Sequence, residues 1–414
     1  PPRSTPKPSS AASDVYKRQV LNLTAFETFY EEKRPFFSEG SEFFSHRISL
    51  FNSRRIGRRP NYNIPDDGEL EGLPEYTTII GASRIMGSTS SGINYGFIGA
   101  LTAEESATHV DSLGNRKKIV VEPMTNYSIG RIEVPMINKV SRFGIMTTNV
   151  SRKNNPGANV VGTDWALGFY DNRLYTSGQL IQSKTNDIIG NAYIFRFGYL
   201  DPKWWSIRFW HGNSNEKFDI NDLGYIRRSG NSYVGGRLEL RKQEPWGRFI
   251  NNNLELKIDQ GWNQDGLVIA RGIDIEQDNL FSNYWSMGLF GKIFLPAYED
   301  GDIFRNDNAW AYKTELWGYA GPRFTTDRRK KVVIESSIGL GYGKNRGHGY
   351  RASLELEMKP IEPLNIEIEA MQDRSPNYMQ WVDILENIDD TVRVYANSVL
   401  LTRDITCLLY TSDA

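Results

Sequence analysis

Along most of this 414-residue chain, apolar and polar side chains alternate one for one over segments of about ten residues. In one segment Leu354, Leu356 and Met358 alternate with Ser353, Glu355, Glu357 and Lys359. In the next, Leu364, Ile366, Ile368 and Ala370 alternate with Asn365, Glu367 and Glu369. Earlier, Leu254, Leu256 and Ile258 alternate with Glu255, Lys257 and Asp259. Successive side chains of a strand point to opposite faces, so each segment has one apolar and one charged face. About eighteen such candidates lie between Thr77 and Thr402, with no long amphipathic helix among them.

The segments between them separate into two kinds. Asp171-Asn172, Asp201-Pro202-Lys203, Ser229-Gly230-Asn231 and Lys359 to Pro363 carry the Gly, Pro, Asn and Asp that tight turns require. Ala103 to Arg116, Lys153 to Gly162, Asn213 to Asp222 and Asp373 to Asp390 read as longer polar loops. Alternating short and long connections are expected of an outer-membrane-type barrel. Aromatic residues agree with this. Trp204, Trp205 and Trp210 bracket one strand, Tyr284 and Trp285 begin another, and Trp310, Trp317, Tyr319 and Phe324 punctuate the next pair, as interfacial girdles would. A soluble sandwich or propeller also alternates, but its strands are nearer five or six residues. An interior bearing Glu355 and Glu357 would also be costly there. The expected fold is an all-β, large antiparallel transmembrane up-and-down barrel, truncated at both ends.

Composition narrows the classes further. No run of about 20 apolar residues is present, which excludes a helical membrane protein. With 49 basic and 50 acidic residues, the chain lacks the basic excess of a nucleic-acid-coating protein. A single cysteine can neither pair nor cluster around a metal. Residues 9–19, Ser-Ser-Ala-Ala-Ser-Asp-Val-Tyr-Lys-Arg-Gln, read as a translated sequencing adaptor, and Cys407 to Ala414 fit its reverse complement. On that reading 1–19 and 407–414 are adaptor-derived, and Val20 to Thr406 is an insert with 45 basic residues, 48 acidic residues and no cysteine.

Leu21 to Pro60 follows neither period. It reads Asn-Leu-Thr-Ala-Phe-Glu-Thr-Phe-Tyr-Glu-Glu-Lys-Arg-Pro-Phe-Phe from Asn22 to Phe37, and then Ser38-Glu39-Gly40. A second cluster, Leu50-Phe51-Asn52-Ser53-Arg54-Arg55-Ile56-Gly57-Arg58-Arg59-Pro60, follows it. Such charges leave water only when paired, so Glu27, Glu31, Glu32 and Glu39 are expected near Arg34, Arg54 and Arg55. An exposed charged linker is the alternative, but it leaves the many rings unexplained. We read 20–65 as a partial plug and 66–406 as barrel strands.

These two stretches resemble the hallmark of domain-of-unknown-function family 5916, at Phe26, Glu27, Phe29, Glu32 to Phe37, Glu39, Gly40 and Ser53 to Arg58. Ile80 to Gly87, Val121-Glu122-Pro123 and Asn126-Tyr127 also look like strands of that family. Tyr30, Ser38 and Asn52 depart from the pattern, which has Phe, Leu and an aromatic residue there. The resemblance implies an outer-membrane barrel region of Gram-negative bacteria, following a family 9 carbohydrate-binding-like domain that would lie upstream of Val20. It implies place more than function, since the family has no agreed activity.

Signals for catalysis are few. His211-Gly212-Asn213-Ser214-Asn215 faintly suggests a membrane phospholipase, but residues three apart on a strand face opposite ways. His46, His109 and His348 have no partner at metal-ligand spacing. Glu299-Asp300-Gly301-Asp302 and Asn306-Asp307-Asn308 offer oxygens but lack a closing glutamate for Ca²⁺. Asp259 to Asp265 reads as an ordinary solvated loop, although Trp262 among amide side chains is also how sugar rings are gripped. Arg328, Arg329, Lys330 and Lys331 form a basic run suited to a turn or a lipid-phosphate contact. The pairs Glu355/Glu357 and Glu367/Glu369 could suit an inverting glycosidase, but charged lumen walls also carry such pairs. The expectation is a non-catalytic outer-membrane barrel that binds or passes a carbohydrate-related solute and needs no cofactor or metal. Its polar cluster would be Glu27, Glu32, Arg34, Arg54, Arg55 and Arg58. Its partners would be outer-membrane lipid, an oligo- or polysaccharide and the upstream domain, and not nucleic acid. A barrel-associated glycan hydrolase and a non-conducting docking platform are the alternatives.

Overall fold

The computed structural model describes residues 32–60, 62, 68–300, 311–343, 347–361, 364–387 and 390–411. The first described stretch is irregular, with one α-helical turn at Pro35–Ser38 and 3-10 turns at Ser41–Phe44 and Ser53–Arg55. Strands follow: β1 (Glu69–Glu71), β2 (Ile79–Ser88), β3 (Asn94–Thr102), β4 (Glu105–Val110), β5 (Arg116–Glu122), β6 (Thr125–Met136), β7 (Ser141–Arg152) and β8 (Asn155–Phe169). Next come β9 (Leu174–Thr185), β10 (Ile188–Leu200), β11 (Trp205–Ser214), β12 (Asn231–Lys242), β13 (Phe249–Asn263), β14 (Val268–Phe281) and β15 (Ser286–Phe294). The remainder are β16 (Ala297–Glu299), β17 (Tyr312–Thr314), β18 (Trp317–Thr325), β19 (Val332–Gly343), β20 (Gly347–Ile361), β21 (Leu364–Asn387) and β22 (Asp390–Thr411).

Seventeen of these strands form one antiparallel sheet in which each pairs with its neighbours in sequence. The series runs from β2–β3 through β3–β6 and β15–β18 to β21–β22. Among the described residues no pairing joins β2 to β22. A small sheet, β1–β4–β5, stands in the connection from β3 to β6, and the hairpin β16–β17 stands between β15 and β18. Neither belongs to the main sheet. Among the described residues no helix is long and apolar enough to cross a membrane.

The connections differ in part from those read off the sequence. Lys153 to Gly162 is a two-residue turn followed by β8, and Asp373 to Asn387 continues β21. Polar composition misled there, because Asn and Asp line strands whose face is wet. Long connections remain at 103–124, 215–230 and 295–316, all after strands that run the same way. The opposite end has short turns throughout, and rings gather near it in contact: Tyr199 with Trp205, Phe249 with Trp246 and Phe281, and Trp285 with Phe324.

The irregular segment lies across one face of the sheet, called here the inner face. Beneath it sit Ile98, Ile129, Met146 and Val150, none more than 2% exposed, with Phe44, Leu50 and Ile56 pressed on them from above. The seat is cut to shape. A Cβ added to Gly96 would come within 2.7 Å of the Phe44 ring, and one at Gly162 within 2.7 Å of Leu50. On the outer face the apolar rows stay uncovered: Ile85, Ile132, Ile145, Leu180, Ile258 and Leu354 are each about half exposed or more.

Candidate functional site

Two regions of the inner face carry the polar groups: the N-terminal segment with the wall beneath it, and the uncovered wall from β13 to β21.

In the segment, Glu32 is the hub. Its carboxylate accepts hydrogen bonds from the Arg34 backbone and guanidinium and from the Ser53 hydroxyl at 2.6 Å. Burial pushes its pKa up, but these bonds together outweigh burial and hold it at about 2. Arg34 also donates to the carbonyl oxygens of Ser53 and Ile56, both at 2.8 Å, and its guanidinium sits 4.4 Å over the Phe37 ring. Arg34 thus staples the Phe36–Phe37 turn to the Ser53–Arg55 turn, two stretches about twenty residues apart in sequence. Arg55 is buried and donates to the carbonyl oxygen of Gly224 at 3.2 Å, joining the segment to the 215–230 loop.

The expected cluster is therefore brought together only in part. Glu32, Arg34 and Arg55 converge around the Ser53 turn. Arg54 lies exposed on that turn, and the Arg58 carbonyl accepts from Thr77. Glu39 turns away to the wall, where it pairs with Arg84 at 2.6 Å. Glu27 and Glu31 lie outside the described residues.

The wall supplies partners that the sequence did not announce. Arg131 of β6, only 6% exposed, donates to the Phe43 carbonyl oxygen at 2.6 Å and to Asp164 of β8 at 2.9 Å. It reaches Asp164 across β7 because the intervening residue is Gly144, whose added Cβ would sit 2.6 Å from that carboxylate. Asp164 also lies 2.9 Å from His46 Nε2, while His46 Nδ1 faces the Phe44 carbonyl at 3.1 Å. His46 has no neighbour of this kind in sequence; its partner is 118 residues away. The one available signal was the Arg131/Glu133 spacing, which puts two charges on one strand face.

The uncovered wall is built differently. A cavity of about 570 Å³ opens against the inner faces of β13 to β21. Lys257 bridges Asp259 at 2.6 Å and Asp274 at 3.1 Å, and Lys292 meets Asp274 at 3.2 Å. Arg351 pairs with Asp373 at 3.0 Å. Phe290, Phe294, Trp317 and Tyr319 lie among these charges. The aromatic pattern suggests a girdle position for Trp317 and Tyr319; the register instead places them on the inner face, level with Phe294 and Lys292. Trp310 lies outside the described residues.

Other candidates resolve plainly. His211 does not meet Ser214; its ring nitrogens lie 3.2 Å from the Tyr193 hydroxyl and 3.3 Å from that of Ser232. Glu335, Glu355 and Glu369 stand opposite one another across β19 to β21, as do Glu357 and Glu367. Asp300 is gripped by Arg228 at 2.5 and 2.6 Å and by Asn263 at 3.0 Å. Burial would raise its pKa, but these partners lower it. Asp302 and Asn306 to Asn308 lie outside the described residues. Among the described residues no group of three or more His, Cys, Asp or Glu could hold a metal ion.

A family model described as "Domain of unknown function (DUF5916)" matches residues 9–407. No curated protein and no solved structure matches the chain.

Proposed function

The chain belongs to the DUF5916 family, and from that premise we propose that it is an outer-membrane β-barrel whose interior binds or passes a polar, carbohydrate-related solute. The observation that carries this reading is the inverted alternation. Leu254, Ile258, Ile275, Leu289 and Leu354 are exposed on the outer face, while Lys257, Asp259, Asp274 and Glu355 face inward. Water would penalise so wide an apolar surface, and a soluble protein seldom keeps one uncovered. Lipid tails cover it without penalty, provided every backbone group finds a partner within the sheet.

Strand length supports the same reading. Tilted strands cross a bilayer in about 9 to 11 residues. The strands of the main sheet run from 9 to 24 residues. Pairing of β2 with β22 would complete the barrel and remove its two open edges. The N-terminal segment then acts as a partial plug, and the cavity beside it is the route or resting place of the solute. Lipid of the outer membrane is the main partner on this account.

Planar-bilayer recording tests the proposal. Purified, refolded protein should insert and give stepwise conductance, and replacing both Arg54 and Arg55 by Ala should raise it by loosening the plug. A properly inserted but electrically silent barrel would refute passage.

A further inference from the structure

The inner wall of the uncovered half carries a feature that passage alone does not require. Two of its four rings, Phe290 and Phe294 on β15, face inward on either side of Lys292, and the other two, Trp317 and Tyr319, take consecutive inward positions on the neighbouring β18. The Tyr319 ring centroid lies 6.2 Å from that of Phe290 and 6.3 Å from that of Phe294, so these three rings form one connected strip, and the register sets Trp317 opposite Phe294 at its end. Each outer ring is backed by glycine. An added Cβ on Gly341 would fall 2.5 Å from the Trp317 ring, and one on Gly339 would fall 3.1 Å from that of Phe290. Those rings therefore lie against bare backbone. Phe294 and Tyr319, at 39% and 36% exposed, present their surface to the cavity.

The charges around the strip cancel. Lys257, Asp259, Asp274 and Lys292 form one linked chain, with Lys292 also 5.1 Å over the Phe294 ring. Donors and acceptors thus alternate along the strip without a net field that would select an ion. Ring faces are electron-rich and attract weakly polarised C–H groups, and convergent polar groups fix a ligand's orientation. A ligand fitting both features has flat C–H-bearing faces, hydroxyls at its edges and no charge.

Resting on the reading above, we propose that this strip is a binding site for a neutral oligosaccharide, whose sugar rings stack on Phe290, Phe294, Trp317 and Tyr319. Hydroxyls at the edges of those rings bond to the Lys257–Asp274–Lys292 chain. The site makes the solute class specific: neutral glycan is held, whereas acidic glycan gains nothing from the balanced charges.

Calorimetric titration of the full chain in detergent micelles tests this, with maltohexaose, cellohexaose and laminarihexaose as probes beside hexagalacturonate and a Gly-Ser hexapeptide. At least one neutral hexasaccharide should bind. Phe294→Ala combined with Tyr319→Ala should weaken it tenfold or more, whereas Tyr319→Phe should hold within about threefold. Binding of only hexagalacturonate or the peptide, binding untouched by the double substitution, or no binding at all would each overturn the site. Bilayer conductance of the same preparations separates the two claims. A conducting barrel that binds no neutral glycan sinks this inference alone, and a chain that never inserts sinks the reading beneath it.

Discussion

The inner faces of β3 to β10 and of β13 to β21 belong to one sheet, yet they are built on opposite principles. The first is apolar and small: Ile98, Ala100, Ile129, Met146, Val160, Ile181 and Ala192 are all buried, because the N-terminal segment lies on them. Among its charges, Arg131 and Asp164, with His46 above them, are largely enclosed and pair with one another. The second is charged and ring-bearing, and its cavity is lined by the wall and the β16–β17 hairpin with no residue of the N-terminal segment. A comparable ion pair there, Arg323 with Asp278, leaves Arg323 36% and Asp278 43% exposed. The contrast teaches that a covering segment changes the chemistry of the wall beneath it. Where chain replaces water, the wall becomes a protein core. Where water remains, the wall keeps the polarity of a surface.

That contrast can be broken experimentally. Phe44→Ala should be the most damaging change, since a buried ring seated on Gly96 is worth about 3 to 5 kcal/mol. Phe294→Ala, on the open wall, should cost under about 1 kcal/mol. Urea unfolding in micelles reads both. Next, Arg131→Ala strands Asp164 near a buried histidine and should cost about 3 kcal/mol. Arg323→Ala removes a solvated pair and should cost about 1 kcal/mol or less. Equal losses in either comparison would erase the distinction between the halves.

Smaller effects sharpen it. Gly96→Ala forces the Phe43 and Phe44 rings aside and should cost about 1 to 3 kcal/mol, with faster proteolysis within 33–60. Gly272→Ala, whose Cβ meets only ordinary contacts at 3.7 Å, should leave stability within about 0.5 kcal/mol. The gentlest probe is acid. Because Glu32 is held at about 2 in the folded chain against 4.5 when free, its contribution is complete above pH 4.5. That contribution fades as pH falls toward about 2. Protease sensitivity of the segment should rise across that window, and Glu32→Gln should flatten the rise.

The same division explains what could be read from sequence. The strands that announce themselves by alternation, Leu254 to Ile258, Leu354 to Met358 and Leu364 to Ala370, all belong to the half that the N-terminal segment leaves uncovered. Under the N-terminal segment both faces are apolar, so Phe97-Ile98, Ile145-Met146, Val160-Val161 and Leu180-Ile181 run together and blur the period. The Glu32–Arg34 pairing was legible because it is local and the surrounding rings demanded enclosure. The links of Glu39 to Arg84 and of His46 to Asp164 were not, because they are set by how the segment crosses the strands. Trp317 and Tyr319 were placed among the girdle rings because composition identifies rings without saying which face they occupy. Register decides that.

The central claim is that lipid covers the outer face while water fills the uncovered inner half. Single cysteines introduced into a Cys407→Ser background, labelled with a membrane-impermeant maleimide in lipid vesicles, test it most directly. Asp259→Cys on the inner wall should label quickly, Ile129→Cys beneath the plug should not label, and Ile275→Cys on the outer face should label only when the lipid is removed. Labelling of Ile275→Cys in vesicles as fast as that of Asp259→Cys would contradict the account.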